Sequence, residues 1–438
     1  MTSTEDRKPG GLGAAARRIG LVVLALVAGV AVMFGLWCQR GKVEARRLAK
    51  HGLWTEARGA AGRYLLLHPR DASANLLFAE ALAKDESVAV AERVDGAVAS
   101  LRAVPDTSPE AGAARKAEAR VLLFLGRDAF SAERALERAL RIDPDDVEAR
   151  TLAWKILDLT RRNEDAEPQF RTVLAGTPVA ERGKVLRDWY LSQFYPVTST
   201  MDLDGLMGFR ISPADDATAV ESNRLVGFRG ADPDSAPANA AMARWFQSKG
   251  DLRFALELLD GALVARPEEA GKDPFFLGTL VDVLIDLGEM DRAGEVFAGW
   301  PEGDRSRAHW LATGRVEQEV RDRPAEAAAA YEEALKVWPG PIDWRSMHRA
   351  ATCQARAGNG ERAAELRARA GELEGLMDEK AHAGLRKALV RLDNREELRQ
   401  LVDFYRKIER PVEAEAWGAF IESLPDVAPD TTNERRGS

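Results

Sequence analysis

The feature of this sequence that most constrains its fold is a pattern of small and apolar residues that recurs after 34 residues. In each copy an Ala is followed four residues later by Leu or Phe, then by an apolar pair and by Pro. The first copy is Ala132, Leu136, Ala139, Leu140 and Pro144, and the second is Ala166, Phe170, Val173, Leu174 and Pro178. A 34-residue period is typical of stacked helical hairpins, so the sequence predicts an all-α array.

Further copies follow in the same register. The clearest spans residues 243–267, in which Phe246 ends one helix, Gly250 and Asp251 form the turn, and Pro267 ends the second helix. Two antiparallel helices cross closely only where their side chains are small, so we expect one buried small residue at the crossing point of each hairpin. The residues in this position are Ala132, Ala166, Ala255, Ala293, Ala327 and Ala363.

Residues 19–37 interrupt this mixed polar and apolar pattern because they carry no charge. A helix of this length spans roughly 28 Å, about the thickness of the hydrocarbon core of a bilayer. A cleaved signal peptide is the alternative, but its apolar region is shorter and ends at a small-residue cleavage site. Trp37, Cys38 and Gln39 do not form such a site. The sequence therefore predicts a single-pass anchor in the cell membrane, preceded by a short polar tail, residues 1–18.

The orientation of this anchor is less strongly indicated, since basic residues flank it on both sides. Arg17 and Arg18 lie directly before it, whereas the basic residues after it fall in the first repeat helix. The positive-inside rule then favours an N-terminus inside the cell and an extracytoplasmic, periplasmic repeat region.

The 34-residue period fails in residues 179–235. This stretch begins with one helix rich in aromatic residues and continues with a segment punctuated by Gly, Pro, Asp and Ser. We interpret it as an irregular insertion or linker between two arrays, residues 40–178 and 236–425. The alternative is a segment that lies across the array and forms or regulates a binding site. Residues 426–438 are expected to form a disordered tail.

The composition and the sequence motifs give no indication of an active site, a metal site or a nucleic-acid-binding surface. With 70 acidic and 62 basic residues the net charge is −8, and the basic residues form no stripe that would suit nucleic acid. The sequence has no phosphate-binding loop, zinc-protease motif or nucleophile elbow, and none of its five His residues has a partner three or four positions away. We therefore expect no enzyme, no cofactor, no metal site and no nucleic-acid partner.

The repeats resemble those of the tetratricopeptide repeat family over residues 40–178 and 236–425. The large aromatic residue that the family places early in the first helix of each hairpin is replaced by Asn75, Arg150 and Asn239. The resemblance implies a right-handed superhelical solenoid of antiparallel hairpins, here preceded by one transmembrane helix. One anchor followed by repeats is similar to the layout of bacterial envelope proteins that act in assembly or quality control.

In this family the first helices of the hairpins line a concave groove that binds protein partners. Transferred by position, the resemblance implies groove-facing side chains at Lys155, Arg244, His348, Arg399 and Arg406. The expected function is a membrane-anchored scaffold for protein–protein interactions, possessing no catalytic residues. The alternatives are a structural component that forms homo-oligomers and, less favoured, an enzyme whose site lies in residues 179–235.

Overall fold

The computed structural model describes the backbone of residues 12–194 and 217–425, with side chains except at 12–28, 30, 31, 217–222 and 379. Within these ranges the chain is helical with short turns and has no strand, so the all-α prediction is confirmed. The chain divides into two compact units, Met1–Gly126 and Arg127–Ser438. The predicted C-terminal tail, residues 426–438, and residues 1–11 of the predicted N-terminal tail lie outside the described residues.

The first unit contains five described helices. They are α1 (Leu12–Lys50), α2 (Trp54–Leu67), α3 (Ala72–Lys84), α4 (Val90–Arg102) and α5 (Ala111–Phe124). Each packs against the next from α1 to α5, as expected for consecutive helical hairpins.

The second unit begins with four helices before the undescribed residues. These are α6 (Ala129–Ile142), α7 (Val147–Leu159), α8 (Asn163–Gly176) and α9 (Arg182–Phe194). The helices after the undescribed residues are α10 (Ala217–Ala231), α11 (Ala236–Ser248), α12 (Leu252–Ala265), the single turn α13 (Pro267–Ala270), α14 (Pro274–Leu287), α15 (Met290–Ala298) and α16 (Arg307–Arg315). The last are α17 (Pro324–Lys336), α18 (Trp344–Arg356), α19 (Gly360–Leu376), α20 (Glu379–Val390), α21 (Arg395–Lys407) and α22 (Pro411–Ser423). A π-helical turn, Val316–Val320, extends α16.

The small residues expected at the helix crossings are buried. All six are completely inaccessible to solvent: Ala132, Ala166, Ala255, Ala293, Ala327 and Ala363. A larger side chain at these points would push the two helices apart, which explains why Ala recurs with the period.

The turn inside most of the described hairpins contains one residue with left-handed backbone conformation. Gly250, Gly288 and Gly358 supply it with φ of 82°, 81° and 87°, and Gly tolerates this conformation because it has no Cβ. Elsewhere a residue other than Gly takes the same place, including Arg161 (φ 63°) and Glu409 (φ 59°). The turn therefore persists at the C-terminal hairpin, where the sequence shows Pro411 instead of Gly.

The three polar residues that replace the family's aromatic residue share one contact. In each case a side-chain nitrogen donates to the carbonyl oxygen of the Pro six residues earlier. The pairs are Asn75 to Pro69 at 2.9 Å, Arg150 to Pro144 at 2.7 Å and Asn239 to Pro233 at 2.7 Å. Each replacement thus satisfies a backbone acceptor at the junction between consecutive hairpins.

The predicted anchor lies within α1, a single uninterrupted helix of 39 residues. Most of the side chains of residues 19–37 fall outside the described residues. Among the residues that the structure does describe, no helix is both long enough and apolar enough to cross a bilayer. The last part of the segment is described, and its large apolar side chains are exposed: Val32, Met33, Phe34, Leu36 and Trp37.

Residues 179–235 contain more regular structure than their sequence pattern indicates. The aromatic helix is α9, and residues 217–231 form α10, which packs on α11. Residues 195–216 lie outside the described part. The apolar spacing in α10 is obscured by its Gly, Ser and Asn residues, which explains why periodicity alone did not reveal the helix.

Helix α9 joins the beginning of the second unit to its end. The Trp189 ring stacks on Phe170 of α8 with centroids 4.2 Å apart, and it also contacts Trp154 and Trp338. These rings belong to one buried apolar cluster that includes Trp417 and Phe420 of α22. Trp154 stands where other hairpins have a small Ala, because α9 packs against this side of α7.

The contact between α9 and α22 leads to a stability prediction. Gly183 packs so closely on Phe420 that a Cβ atom there would overlap the ring. Gly183→Ala should lower the free energy of unfolding by about 1–3 kcal/mol through this overlap, measured by urea denaturation. Gly418→Ala in α22 is the control, since its Cβ would meet no atom within 4 Å. Equal stability of both variants would contradict the packing.

Candidate functional site

The structure places the five predicted groove residues on four helices. Lys155 lies on α7, Arg244 on α11 and His348 on α18, whereas Arg399 and Arg406 lie on α21. They differ in what surrounds them, and only some face solvent. The binding roles of all five stay predictions.

Arg244 is held by neighbouring groups of its own array. Its Nε donates to Thr279 Oγ1 at 3.1 Å, and its guanidinium lies 4.6 Å from the centroid of the Phe275 ring. Burial lowers the pKa of the guanidinium. A residue bound in this way supports the packing of α11 on α14 and offers little to a partner.

The start of α8 is close to α16. Its second residue, Glu164, lies 3.9 Å from Arg307 of α16, which also pairs with Asp343. Burial alone would lower the pKa of Arg162, just before α8, but nearby carboxylates, Glu133 first and Asp273 among the others, raise it overall. The charged groups around the start of α8 therefore have partners within the second unit.

Lys155 is also engaged within the chain. Its Nζ lies 3.8 Å from the carboxylate of Asp188 on α9. This ion pair links α7 to the aromatic helix α9. A partner that binds Lys155 in the groove would therefore have to compete with Asp188.

His348 lies in a different environment, on the solvent side of α18. Five residues lie along one side of this helix, because the last four follow the first by 3, 4, 7 and 11 positions: Arg345, His348, Arg349, Thr352 and Arg356. The opposite side of α18 is buried through Ser346, Met347, Ala350, Ala351 and Cys353. We call the first five residues the α18 stripe. Helix α18 itself contains no Asp or Glu.

Neighbouring hairpins hold parts of the α18 stripe in place. Arg349 lies 3.9 Å from Glu319, and Arg356 pairs with Asp322 at a spacing of 34 residues. Glu319 also binds Arg315 at 2.9 Å, and Arg315 reaches Asp286 of α14 at 2.9 Å. The charges on successive first helices thus form a connected row.

The two residues on α21 are exposed. Arg406 lies 3.5 Å from Asp403 one turn earlier, and a surface pair of this kind contributes little to stability. Arg399 lines a surface cavity of about 1010 Å³ with residues of both charges, including Lys387, Arg391, Glu396 and Glu397. This mixture of charge selects for no particular partner.

The interior of the second unit also contains polar groups of types that can take part in catalysis. The Tyr190 hydroxyl and His382 Nδ1 share a hydrogen bond of 2.5 Å, enclosed by Phe194 and Phe404. The pair is buried among these aromatic rings. In the described ranges no group of three His, Cys, Asp or Glu residues could hold a metal ion. Both Cys residues are free and buried.

Asp158 is a buried carboxylate whose pKa is raised. It accepts a hydrogen bond from Gln193 Nε2 at 3.1 Å, and burial raises its pKa from 3.8 to about 7. Gln193 in turn accepts from Trp338 Nε1 at 2.8 Å. Asp158 therefore belongs to a polar chain inside the aromatic cluster, where it joins α7, α9 and the loop after α17.

This titration predicts a pH dependence of stability. Because the folded pKa of Asp158 lies above its unfolded value, folding favours the protonated carboxyl, and stability should fall as the pH rises from about 4 to about 7. Asp158→Asn should remove this fall and raise stability at pH 8 by on the order of 2 kcal/mol. The measurement is urea unfolding across this pH range, with the exposed-site variant Asp403→Asn as control. An unchanged pH profile in Asp158→Asn would contradict the assignment.

Comparisons with known proteins give similarity of fold only. No family model and no curated protein matches the sequence. Similar solved structures include the Cut9–Hcn1 hetero-tetramer of the APC/C, at 14% identity over 94% of this chain and 85% of that chain, with a TM-score of 0.37. The TPR domain of P58(IPK) has 18% identity, covers 81% and 94%, and has a TM-score of 0.28. A tetratricopeptide repeat protein from Parabacteroides merdae has 13% identity, covers 67% and 98%, and has a TM-score of 0.27. Similarities of this size assign neither a family nor a function.

The α18 stripe was only partly recognised from the sequence. Transfer from the family pointed to His348 but not to the Arg residues around it. Their signal was present, since three Arg residues occur on one side of a 13-residue helix that has no acidic residue. Periodic charge on a single helix face would have identified the stripe without any family pattern.

Proposed function

We propose that this protein is a membrane-anchored scaffold of the tetratricopeptide repeat family that holds a protein partner on the α18 stripe. The observation that carries the proposal is the basic, solvent-facing side of this one helix in a chain of net charge −8. A partner segment with acidic side chains at helical or extended spacing would meet several of these cations at once.

The arrangement of the stripe supports a protein partner. Arg349 lies 3.9 Å from Glu319 and Arg356 pairs with Asp322, so the row of charges continues from the stripe to the preceding hairpin. Arg345 packs over Trp344, with 4.6 Å between its guanidinium and the ring centroid. Aromatic and Arg side chains are the residues that most often contribute strongly to protein interfaces.

The anchoring part of the proposal rests on residues 19–37. The segment has the length and apolar character of a membrane span, and its described end exposes large apolar side chains from Val32 to Trp37. Water contact along such a surface is unfavourable, and a bilayer would remove it. With repeats on the outside of the membrane, the scaffold would act in assembly or quality control of a bacterial envelope complex.

Charge reversal tests the partner site. A photocrosslinking residue at position 348 of the full-length chain identifies the bound protein, and a binding assay then compares two variants. Arg345→Glu with Thr352→Glu should weaken binding about tenfold or more, equivalent to about 1.4 kcal/mol. Arg253→Glu with Gly261→Glu is the matched control, because it changes the net charge equally at exposed positions of α12. We expect this control to bind normally.

Two results would overturn the scaffold proposal. Equal loss of binding in the control would show that net charge, and not the α18 stripe, governs association. Crosslinks from position 348 to second copies of this chain alone would favour the alternative, a structural component that self-associates.

The periplasmic location of the repeats has a separate test. Cys353 is buried and burial raises the pKa of its thiol, so it would not report on topology. Arg253→Cys, in a chain with both native Cys residues replaced by Ala, provides an exposed thiol. We expect it to react with a membrane-impermeant maleimide in intact cells. Protection until the cells are lysed would instead place the repeats in the cytoplasm.

A further inference from the structure

We propose that the last turn of α2 lies in the interfacial layer of the membrane and binds anionic phospholipid headgroups. This inference rests on the proposed anchoring by residues 19–37 and adds a second lipid contact to it. The contact would be made by residues 66–70, at the end of the first hairpin.

The packing of α1 on α2 fixes the level of this turn. Gly41 of α1 lies directly against the Ala60 carbonyl and the Tyr64 backbone of α2. One turn closer to the anchor, the Trp37 ring lies 4.5 Å from the guanidinium of Arg63. Since the helices run in opposite directions, these two contacts place Leu66 level with the end of the apolar segment, near Trp37 of α1.

This level coincides with the predicted membrane boundary. The polar interface on each side of the hydrocarbon core is about 5–7 Å thick, and Trp is enriched in it. A span that ends near Trp37 therefore brings the end of α2 into the headgroup region.

The connection between the anchor and the hairpin is rigid. Helix α1 continues without a break from the apolar segment to Lys50, so there is no linker that would let the hairpin move away. Gly41 permits the close approach of α2, and Lys42 binds Asp71 at 2.8 Å beyond the end of α2. Insertion of the anchor then determines the position of α2.

The surface of this turn suits a lipid interface. Leu66 is 70% exposed and Leu67 is 44% exposed, although both are large apolar residues. The exposed cations Arg40 and Arg70 flank them. An interfacial segment combines apolar side chains for the acyl boundary with cations for the phosphates.

The nearby acidic groups do not cancel these cations. Glu44 pairs with Arg63 at 2.7 Å, and Asp71 pairs with Lys42. Hydrogen bonds from Lys42, the Ala74 backbone and Tyr64 lower the pKa of Asp71 despite partial burial. Both carboxylates thus already have a positive partner, and the outward charge at this end is basic.

Depth-dependent fluorescence quenching tests the inference on the full-length chain. With both native Cys residues replaced by Ala, a single Cys carrying an environment-sensitive fluorophore is placed at position 32, 53 or 66. Each protein is reconstituted in vesicles of phosphatidylcholine and phosphatidylglycerol that contain nitroxide lipids labelled in the headgroup or deep in the chain. Leu53 is the matched control, since it is exposed and lies at the opposite end of the same hairpin.

We expect the headgroup nitroxide to quench position 66 several-fold more strongly than position 53, and the deep nitroxide to quench position 32. Quenching at 66 should weaken in vesicles of phosphatidylcholine alone. Strong quenching at 32 with equal, weak quenching at 66 and 53 would overturn the interfacial contact while leaving the anchor intact. No quenching at 32 would overturn the anchor itself, and an effect at 66 independent of phosphatidylglycerol would overturn the anionic-lipid preference.

Discussion

The packing of α9 into the aromatic cluster is the interaction on which the second unit depends. Trp189 brings together rings from α7, α8 and the loop after α17, while Gly183 lets the same helix contact α22. Each large aromatic side chain buried in this way contributes about 1.5–3 kcal/mol. Hairpins in a repeat array normally contact only their neighbours in sequence, so this cluster adds cooperativity that the repeats alone would not provide.

The same packing decides which charged residues remain available. Glu167 of α8 binds Arg410 at 2.6 Å, and the Arg410 guanidinium lies 4.3 Å from the centroid of the Trp338 ring. Glu164 of α8 lies near Arg307, and Lys155 lies near Asp188. Charged side chains on α7 and α11 are thereby paired within the second unit, whereas the α18 stripe lies on the side of its helix opposite the buried residues. The surface that we propose for a partner is thus narrower than a groove that runs along every hairpin.

Local features of the sequence predicted much of the fold. The crossing Ala residues, the turn glycines and the capping Asp residues each act on the backbone within one hairpin. Asp146, for example, accepts from the Ala149 N–H at 2.9 Å where the sequence indicated a helix start. Helix α10 was missed because its polar and small residues blur the period. For the candidate site, the family pattern selected His348 together with Arg244 and Lys155, which contact other residues of the fold. Their binding roles stay predictions.

The sequence by itself determined the repeat, the positions of the turns and the apolar segment at residues 19–37. Spacing carries this information because helix crossings, left-handed turns and uninterrupted apolar runs depend on neighbours a few residues away. Only the tertiary structure decided that α9 contacts α22, that Arg244 and Lys155 are engaged, and that Leu66 lies level with the end of the apolar segment. These outcomes depend on side chains that are distant in sequence or lie on the two opposite helices of a hairpin. The shape and charge around each of these side chains become defined only when the helices pack.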